Sequence, residues 1–176
     1  MPYSYNKFKG EVKVKIIDNI SPLSHILDVG AGSGTYGELL TGHFDKVDAL
    51  EIYPKYIQMF DLKNKYNAVF EGNILSFEDS IYYDFIIMGD VLEHLSVKDA
   101  QKVIHDVQVH KQALLVAVPY MYEQGEEYGN IYETHLQPDL TPQIMAERYP
   151  ELKLLMGDDQ YGYYVNSFFC QSCHQQ

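Results

Sequence analysis

The stretch Ile26–Gly37, ILDVGAGSGTYG, carries two overlapping glycine patterns. Gly30, Gly32 and Gly34 read as G-x-G-x-G, and Gly32, Gly34 and Gly37 as G-x-G-x-x-G. A glycine loop running from a strand into a helix N-terminus turns backbone N–H groups and partial positive charge toward a polar or anionic ligand. Its glycines let that ligand approach the backbone closely. Glu51 closes the next apolar run, where a carboxylate can take both hydroxyls of a ribose. A second constellation lies downstream. GDVLEHL supplies Asp90, Glu93 and His94, and GNIYETHLQPDLT supplies Glu133 and His135. If a helix starts at the first of these, spacings of three and four set Asp90, Glu93 and His94 on one face. Carboxylates and imidazoles from Asp90, Glu93, His94 and His135 can ligate Mg2+ or another divalent cation. An imidazole, with an unperturbed pKa near ~6.5, also suits proton removal from a hydroxyl, which makes His135 a candidate general base. Asp90 and His94 complete the candidate catalytic set.

Positioning these residues takes an alternation of short apolar runs and helical patterns, which predicts an α/β domain with a largely parallel sheet. A helix is expected over Glu11–Ile20, then a strand over His25–Val29 and a helix over Thr35–Phe44. A strand over Lys46–Leu50, a proline-started helix over Pro54–Asn64 and a strand over Asn67–Asn73 follow. Tyr83–Gly89 is the most apolar strand and so a central one. Val91–His110 reads as helix with a break near Ser96, and Ala113–Pro119 as a fifth strand. Tyr120–Gln137 is a long polar and aromatic loop, of the kind that often carries function. A helix over Thr141–Pro150 precedes two last strands joined by GDDQ, a joint short enough to demand an antiparallel hairpin. Ligands of such folds sit at the carboxyl ends of the strands, so both constellations can meet there.

With 176 residues the chain is expected to form one domain, 1–176, with 1–24 as an N-terminal helical segment and 120–140 as an acceptor-side loop. The longest apolar run, Ala113–Tyr122, is about half the ~20 residues of a membrane span, and the N-terminus shows no apolar signal region. A cytoplasmic protein without membrane contact is expected. The net charge of −12 argues against extended binding of nucleic acid, which needs Lys and Arg in quantity. Cys170 and Cys173 spell C-x-x-C-H with His174. They are expected as two reduced cysteines at the end of the last strand, not as a haem attachment or zinc site.

Asp28 separates the two ligands that such a loop can hold. A carboxylate two residues before the first loop glycine is poorly placed beside a pyrophosphate but suits a cofactor with a cationic amino group, such as S-adenosylmethionine. Here the sequence resembles the class I S-adenosylmethionine-dependent methyltransferases. ILDVGAGSGTYGELL is similar to their first motif, VDALEIYP to their second strand with its ribose-binding acid, AVFEGNILSF to the segment flanking the adenine, and YDFIIMGDVLEHL and ALLVAVP to their fourth and fifth strands. The resemblance implies a Rossmann-like α/β/α sandwich whose seven-stranded, mostly parallel sheet ends in an antiparallel strand. It implies that Gly30, Gly32 and Gly34 line the methionine portion of S-adenosyl-L-methionine, that Asp28 and Asp90 serve its amino end, and that Glu51 binds the ribose. Ile52 would cover the adenine face, with Asn73 and Ile74 at its edge; Asn73 stands where the family often has aspartate. The histidine and acid pattern also resembles that of ubiquinone-pathway O-methyltransferases and small-RNA 2′-O-methyltransferases, which place a metal beside the methyl donor. The activity implied is methyl transfer to a small-molecule or glycan-like acceptor, most simply a hydroxyl. A cofactor-holding module without activity and a nicotinamide-dependent oxidoreductase are the rival readings.

Overall fold

The structure is a computed structural model that describes residues 7–169. Cys170 and Cys173, and with them the reading of the C-x-x-C-H tail, lie outside the described residues. Seven strands form one sheet in the order β3-β2-β1-β4-β5-β7-β6. They are β1 (His25–Val29), β2 (Lys46–Glu51), β3 (Val69–Glu71), β4 (Phe85–Gly89), β5 (Ala113–Pro119), β6 (Lys153–Gly157) and β7 (Tyr161–Val165). Strands β1 to β5 pair in parallel, while β7 runs antiparallel to both β5 and β6. This is the sheet expected from the sequence, hairpin included.

The β4 run FIIMG is apolar throughout because both of its faces are covered. Phe85 and Ile87 face a layer holding Val12 and Ile16 of α1 (Lys9–Asn19) and Tyr36 and Leu40 of α2 (Thr35–Leu40). Ile86 and Met88 face the opposite layer, with Val103 and Val107 of α4 (Val97–Val109) and Met145 of α5 (Pro142–Arg148). Two apolar cores thus sandwich the sheet, as the period of two requires.

Several elements have other bounds than expected. The first helix begins at Lys9, not Glu11, and α2 ends at Leu40, not Phe44, with Gly42 beyond it at φ 77°. The expected helix over Pro54–Asn64 divides into α3 (Pro54–Met59) and a tight turn over Leu62–Asn64, because Asp61 takes a left-handed backbone at φ 51°. The third strand keeps only Val69–Glu71, and the last ends at Val165. Val91–His110 also divides: a turn covers Leu92–His94, and α4 starts behind Ser96, whose hydroxyl oxygen accepts from the Asp99 N–H at 3.1 Å. The break near Ser96 is therefore a helix cap.

The strand order reverses between β1 and β4. The crevice at such a switch point, above the carboxyl ends of the strands, is where open α/β sheets bind ligands. No helix among the described residues is long and apolar enough to cross a membrane.

Candidate functional site

A cavity of about 310 Å3 opens at this switch point. The glycine loop forms its floor. Gly30 and Gly34 adopt φ of 66° and 83°, a left-handed backbone that side chains resist, which is the local reason for glycine there. Glu51, at the end of β2, braces the loop: its carboxylate accepts the Gly32 N–H at 2.9 Å and the Tyr53 N–H at 2.8 Å. Burial raises the pKa of Glu51, against the pull of those two amides. Gly30, Gly32, Glu51, Ile52, Asn73 and Ile74 line the cavity, whereas Gly34, expected beside them, does not. Asn73 spends its amide oxygen on the Leu75 N–H at 2.9 Å, capping the turn over Ile74–Ser76.

Asp28 stands elsewhere. It is 1% exposed and does not line the cavity. Its carboxylate accepts the hydroxyl of Tyr66, which in turn accepts the Gly37 N–H at 3.1 Å. The residue expected at the cofactor's amino end is thus a brace behind the loop, tying β1 to the start of α2. Burial pushes its pKa from 3.8 up to about 7, opposed by the Tyr66 bond and the Lys9 charge and aided by Glu51. A folded-state pKa above the unfolded one means that the folded chain binds the proton more tightly. Asp28's contribution to stability is complete below pH ~4 and is lost as pH rises toward ~7. Asp28→Asn removes that loss. Its melting temperature relative to wild type should therefore climb between pH 5 and pH 8, by the equivalent of at most about 3 kcal/mol. Parallel melting-versus-pH curves for the two proteins would refute the assignment.

The second constellation assembles, but not as one helical face. α4 begins only at Val97, so Asp90, Glu93 and His94 lie in the loop and tight turn before it. Asp90 lines the cavity in a left-handed conformation, φ 58°, and accepts the Tyr161 hydroxyl at 2.6 Å. Glu93 turns inward and is 1% exposed. Ligand atoms of Glu93, His94 and His135 lie within 4.8 Å of one another, and Asp90 is not part of that group. The His94 Nδ1–H donates to the Thr134 carbonyl at 3.2 Å, and the His135 Nδ1–H to the Tyr122 carbonyl at 2.8 Å. Each bond fixes the tautomer that leaves Nε2 as an acceptor. The backbone carbonyl of Glu93 accepts the Leu136 and Gln137 N–H groups at 2.8 and 3.0 Å, setting the loop's register against the turn. Both carboxylate oxygens of Glu93 are buried without a hydrogen bond among the described residues. Burial first, then the charge of Asp90, pushes its pKa well up. Burial first, then the neighbouring His135 ring, pushes His94 down to about 4; burial also lowers His135.

Glu133 is bound up differently. It accepts the hydroxyl of Tyr56 at 2.9 Å and the Gln124 amide at 3.1 Å, pinning the loop to α3. The loop tyrosines divide their work: Tyr132 lines the cavity, Tyr122 packs edge-on against His135, Tyr120 is buried against Tyr164, and Tyr128 is exposed. Sequence reasoning missed Tyr56, Tyr66 and Tyr161, since no local pattern marks a tyrosine whose partner lies far away in the chain.

Residues 27–109 match the family described as Methyltransferase domain. No curated protein matches the sequence. The fold is shared with solved structures. The methyltransferase domain of the bacterial protein CtHen1-CN superposes with a TM-score of 0.65 at 16% identity, over 90% of this chain and 96% of that one. An S-adenosylmethionine-dependent methyltransferase from Clostridium acetobutylicum ATCC 824 gives 0.68 at 13% identity, over 93% and 91%. The N-methyltransferase NodS from Bradyrhizobium japonicum WM9 gives 0.58 at 15% identity, over 92% and 97%. With that match running from the glycine loop to the end of α4, on that sheet order, the chain has the fold of the S-adenosylmethionine-dependent methyltransferases.

Proposed function

We propose that this chain methylates a hydroxyl of a small-molecule or glycan-like acceptor, with Glu93, His94 and His135 holding a divalent cation beside the methyl donor. The observation that carries the reading is their convergence: one buried carboxylate without hydrogen bonds among the described residues and two imidazoles, with ligand atoms of all three within 4.8 Å of one another. That donor set fits a divalent cation with open positions, and the two carbonyls behind the rings are the orienting partners such ligands use. A cation there would lower the pKa of an acceptor hydroxyl and fix it in place.

Gly30, Gly32, Glu51, Ile52, Asn73, Ile74 and Asp90 are the residues we assign to S-adenosyl-L-methionine. When bound, that cofactor supplies a methyl group on a sulfonium and leaves as S-adenosylhomocysteine. The chain's own contribution is alignment of acceptor oxygen, methyl carbon and sulfur, worth several kcal/mol in effective-molarity terms. The acceptor side lacks cations: no lysine or arginine occurs between Lys111 and Arg148, while Glu123, Glu126, Glu127 and Glu133 do. Arg148 itself is engaged by Asp139 at 2.8 Å. This favours an uncharged acceptor over a phosphate-rich one. A second reading keeps the metal out and makes the free Nε2 of His135 the base for the acceptor's proton, a role its lowered pKa suits at neutral pH.

The test is an acceptor screen with dialysed protein and labelled methyl donor, in Mg2+, Mn2+ or EDTA. Turnover that needs the cation supports the first reading. Full turnover in EDTA overturns it, and loss on His135→Ala under EDTA would then favour the base.

A further inference from the structure

Gln137 joins the two chain segments that meet at Glu93, His94 and His135. It is 2% exposed. Its Nε2 group donates to the carbonyls of Leu92 and Leu95, both at 3.1 Å, on either side of Glu93 and His94. Its backbone N–H donates to the Glu93 carbonyl at 3.0 Å. One residue thus holds three of the four carbonyls from Leu92 to Leu95. At the other end of the amide, Oε1 accepts the Tyr149 hydroxyl at 2.7 Å and Nη1 of Arg148 at 3.1 Å. The partners fix which end is which, since a carbonyl can only accept and a guanidinium can only donate. A side-chain amide has two donors and two acceptor sites, and all four are taken.

A buried polar network with every member satisfied holds its surroundings in one arrangement, where apolar contacts allow several. What is held here is the turn over Leu92–His94 against the loop that carries His135, two residues before Gln137. The turn needs such restraint. Glu93 keeps a buried carboxylate without hydrogen bonds among the described residues, beside the charge of Asp90, and both burial and that charge favour its escape. The far end of the amide is itself anchored. Arg148 donates also to Asp139 at 2.8 Å, and Tyr149 is fully buried just beyond α5. Gln137 does not line the cofactor cavity, and neither does any residue of α5.

We propose that Gln137 is the positioning residue of this group, holding the Glu93–His94 turn and the His135 loop within ligand distance of each other. The inference rests on the metal reading above. It gives α5 a part in the site through Arg148 and Tyr149, although that helix stands outside the cavity.

The experiment is Mn2+ titration of the full chain followed by paramagnetic resonance, beside calorimetric titration with S-adenosylhomocysteine, both below the melting range of every variant. Gln137→Glu keeps an acceptor for Arg148 and Tyr149 but sets an oxygen against the Leu92 and Leu95 carbonyls. Gln137→Met removes both ends of the network. Each should weaken Mn2+ binding by about 10–100-fold, the usual loss when a partner that orients metal ligands is removed. Affinity for S-adenosylhomocysteine should stay within about twofold of wild type. Tyr149→Phe is the control for lost stability: it removes a buried hydrogen bond from the same network and leaves the turn's carbonyls held. It should keep Mn2+ affinity to within about threefold. Unchanged Mn2+ affinity in both Gln137 variants overturns the proposal. So does an equal loss in Tyr149→Phe, or failure of both Gln137 variants to fold, since Gln137 is then a residue of the fold and not of the site. A wild type that binds no Mn2+ overturns the metal reading alone. The placement is then read in the metal-free protein, where the ring-proton resonances of His94 and His135 should move in both Gln137 variants and stay in Tyr149→Phe. Rings that do not move overturn it.

Discussion

Glu93→Gln should weaken Mn2+ binding by at least about 100-fold while leaving S-adenosylhomocysteine affinity and the melting temperature of the metal-free protein unchanged or slightly raised. Glutamine has glutamate's shape, and the backbone carbonyl that accepts the Leu136 and Gln137 amides is untouched, so the turn and loop keep their register. What changes is the side-chain terminus. In wild type it offers two acceptor oxygens among two imidazole acceptors. In the variant an NH2 group donates to one imidazole instead, which fills the space and removes the charge a cation needs. The metal-free protein loses nothing, because a buried carboxylate without hydrogen bonds is a burden until a cation arrives. Manganese titration followed by paramagnetic resonance reads the effect without knowledge of the acceptor. Equal Mn2+ affinity in variant and wild type, or none in wild type, would remove the metal from the proposal.

This expectation turns on a detail that the sequence leaves out. GDVLEHL displays the residue types, and His135 stands some forty positions away in a loop of no fixed period. Convergence of His94 and His135 follows from backbone contacts that join Glu93 to Leu136 and Gln137, and no local signal announces such contacts. Asp90 illustrates the limit. Read as the first residue of a helix, it falls on the face of Glu93 and His94. In the fold its left-handed backbone turns it toward Tyr161 of the last strand, and the helix waits for the Ser96 cap. Lys9 and Asp28 show the same limit from the other side. Lys9 lies before the helix expected from the sequence and Asp28 reads there as a residue for the cofactor's amino end, yet each owes its environment to a distant tyrosine, Tyr36 or Tyr66. The frame was more legible because it depends on short-range patterns. The apolar run of β4 and the hairpin forced by GDDQ both survive intact. Element ends fared worse, since α2 and α3 stop where single residues, Gly42 and Asp61, take up left-handed backbone close by.

Glu51→Ala should abolish the thermal shift that S-adenosylhomocysteine produces, which for wild type at a hundred times the dissociation constant is about 2.7 kcal/mol of stabilisation. Two losses add. The ribose hydroxyls lose a charged acceptor, and the Gly32 and Tyr53 amides lose theirs, so the glycine loop relaxes as well. Charge-assisted bonds contribute about 1.5–3 kcal/mol each, which puts the fall in affinity at 100-fold or more and also lowers the ligand-free melting temperature. Glu51→Gln separates the two losses. Its amide oxygen can still hold the Gly32 N–H, whereas its NH2 group is a donor where the ribose needs an acceptor. Without ligand Glu51→Gln should therefore melt between wild type and Glu51→Ala, because the Tyr53 N–H loses its acceptor, and with ligand it should fall far behind wild type. Equal shifts with ligand would make Glu51 a loop brace and nothing more. Running NAD beside S-adenosylhomocysteine gives the same variants a second use. A carboxylate that binds ribose serves either ligand, but Asp28 behind the loop leaves the glycine amides facing a cavity that no lysine or arginine among the described residues lines, a poor seat for pyrophosphate. The shift should belong to S-adenosylhomocysteine alone, and a wild type stabilised only by NAD would mean that the loop's amides and helix terminus hold phosphate without help from any cation.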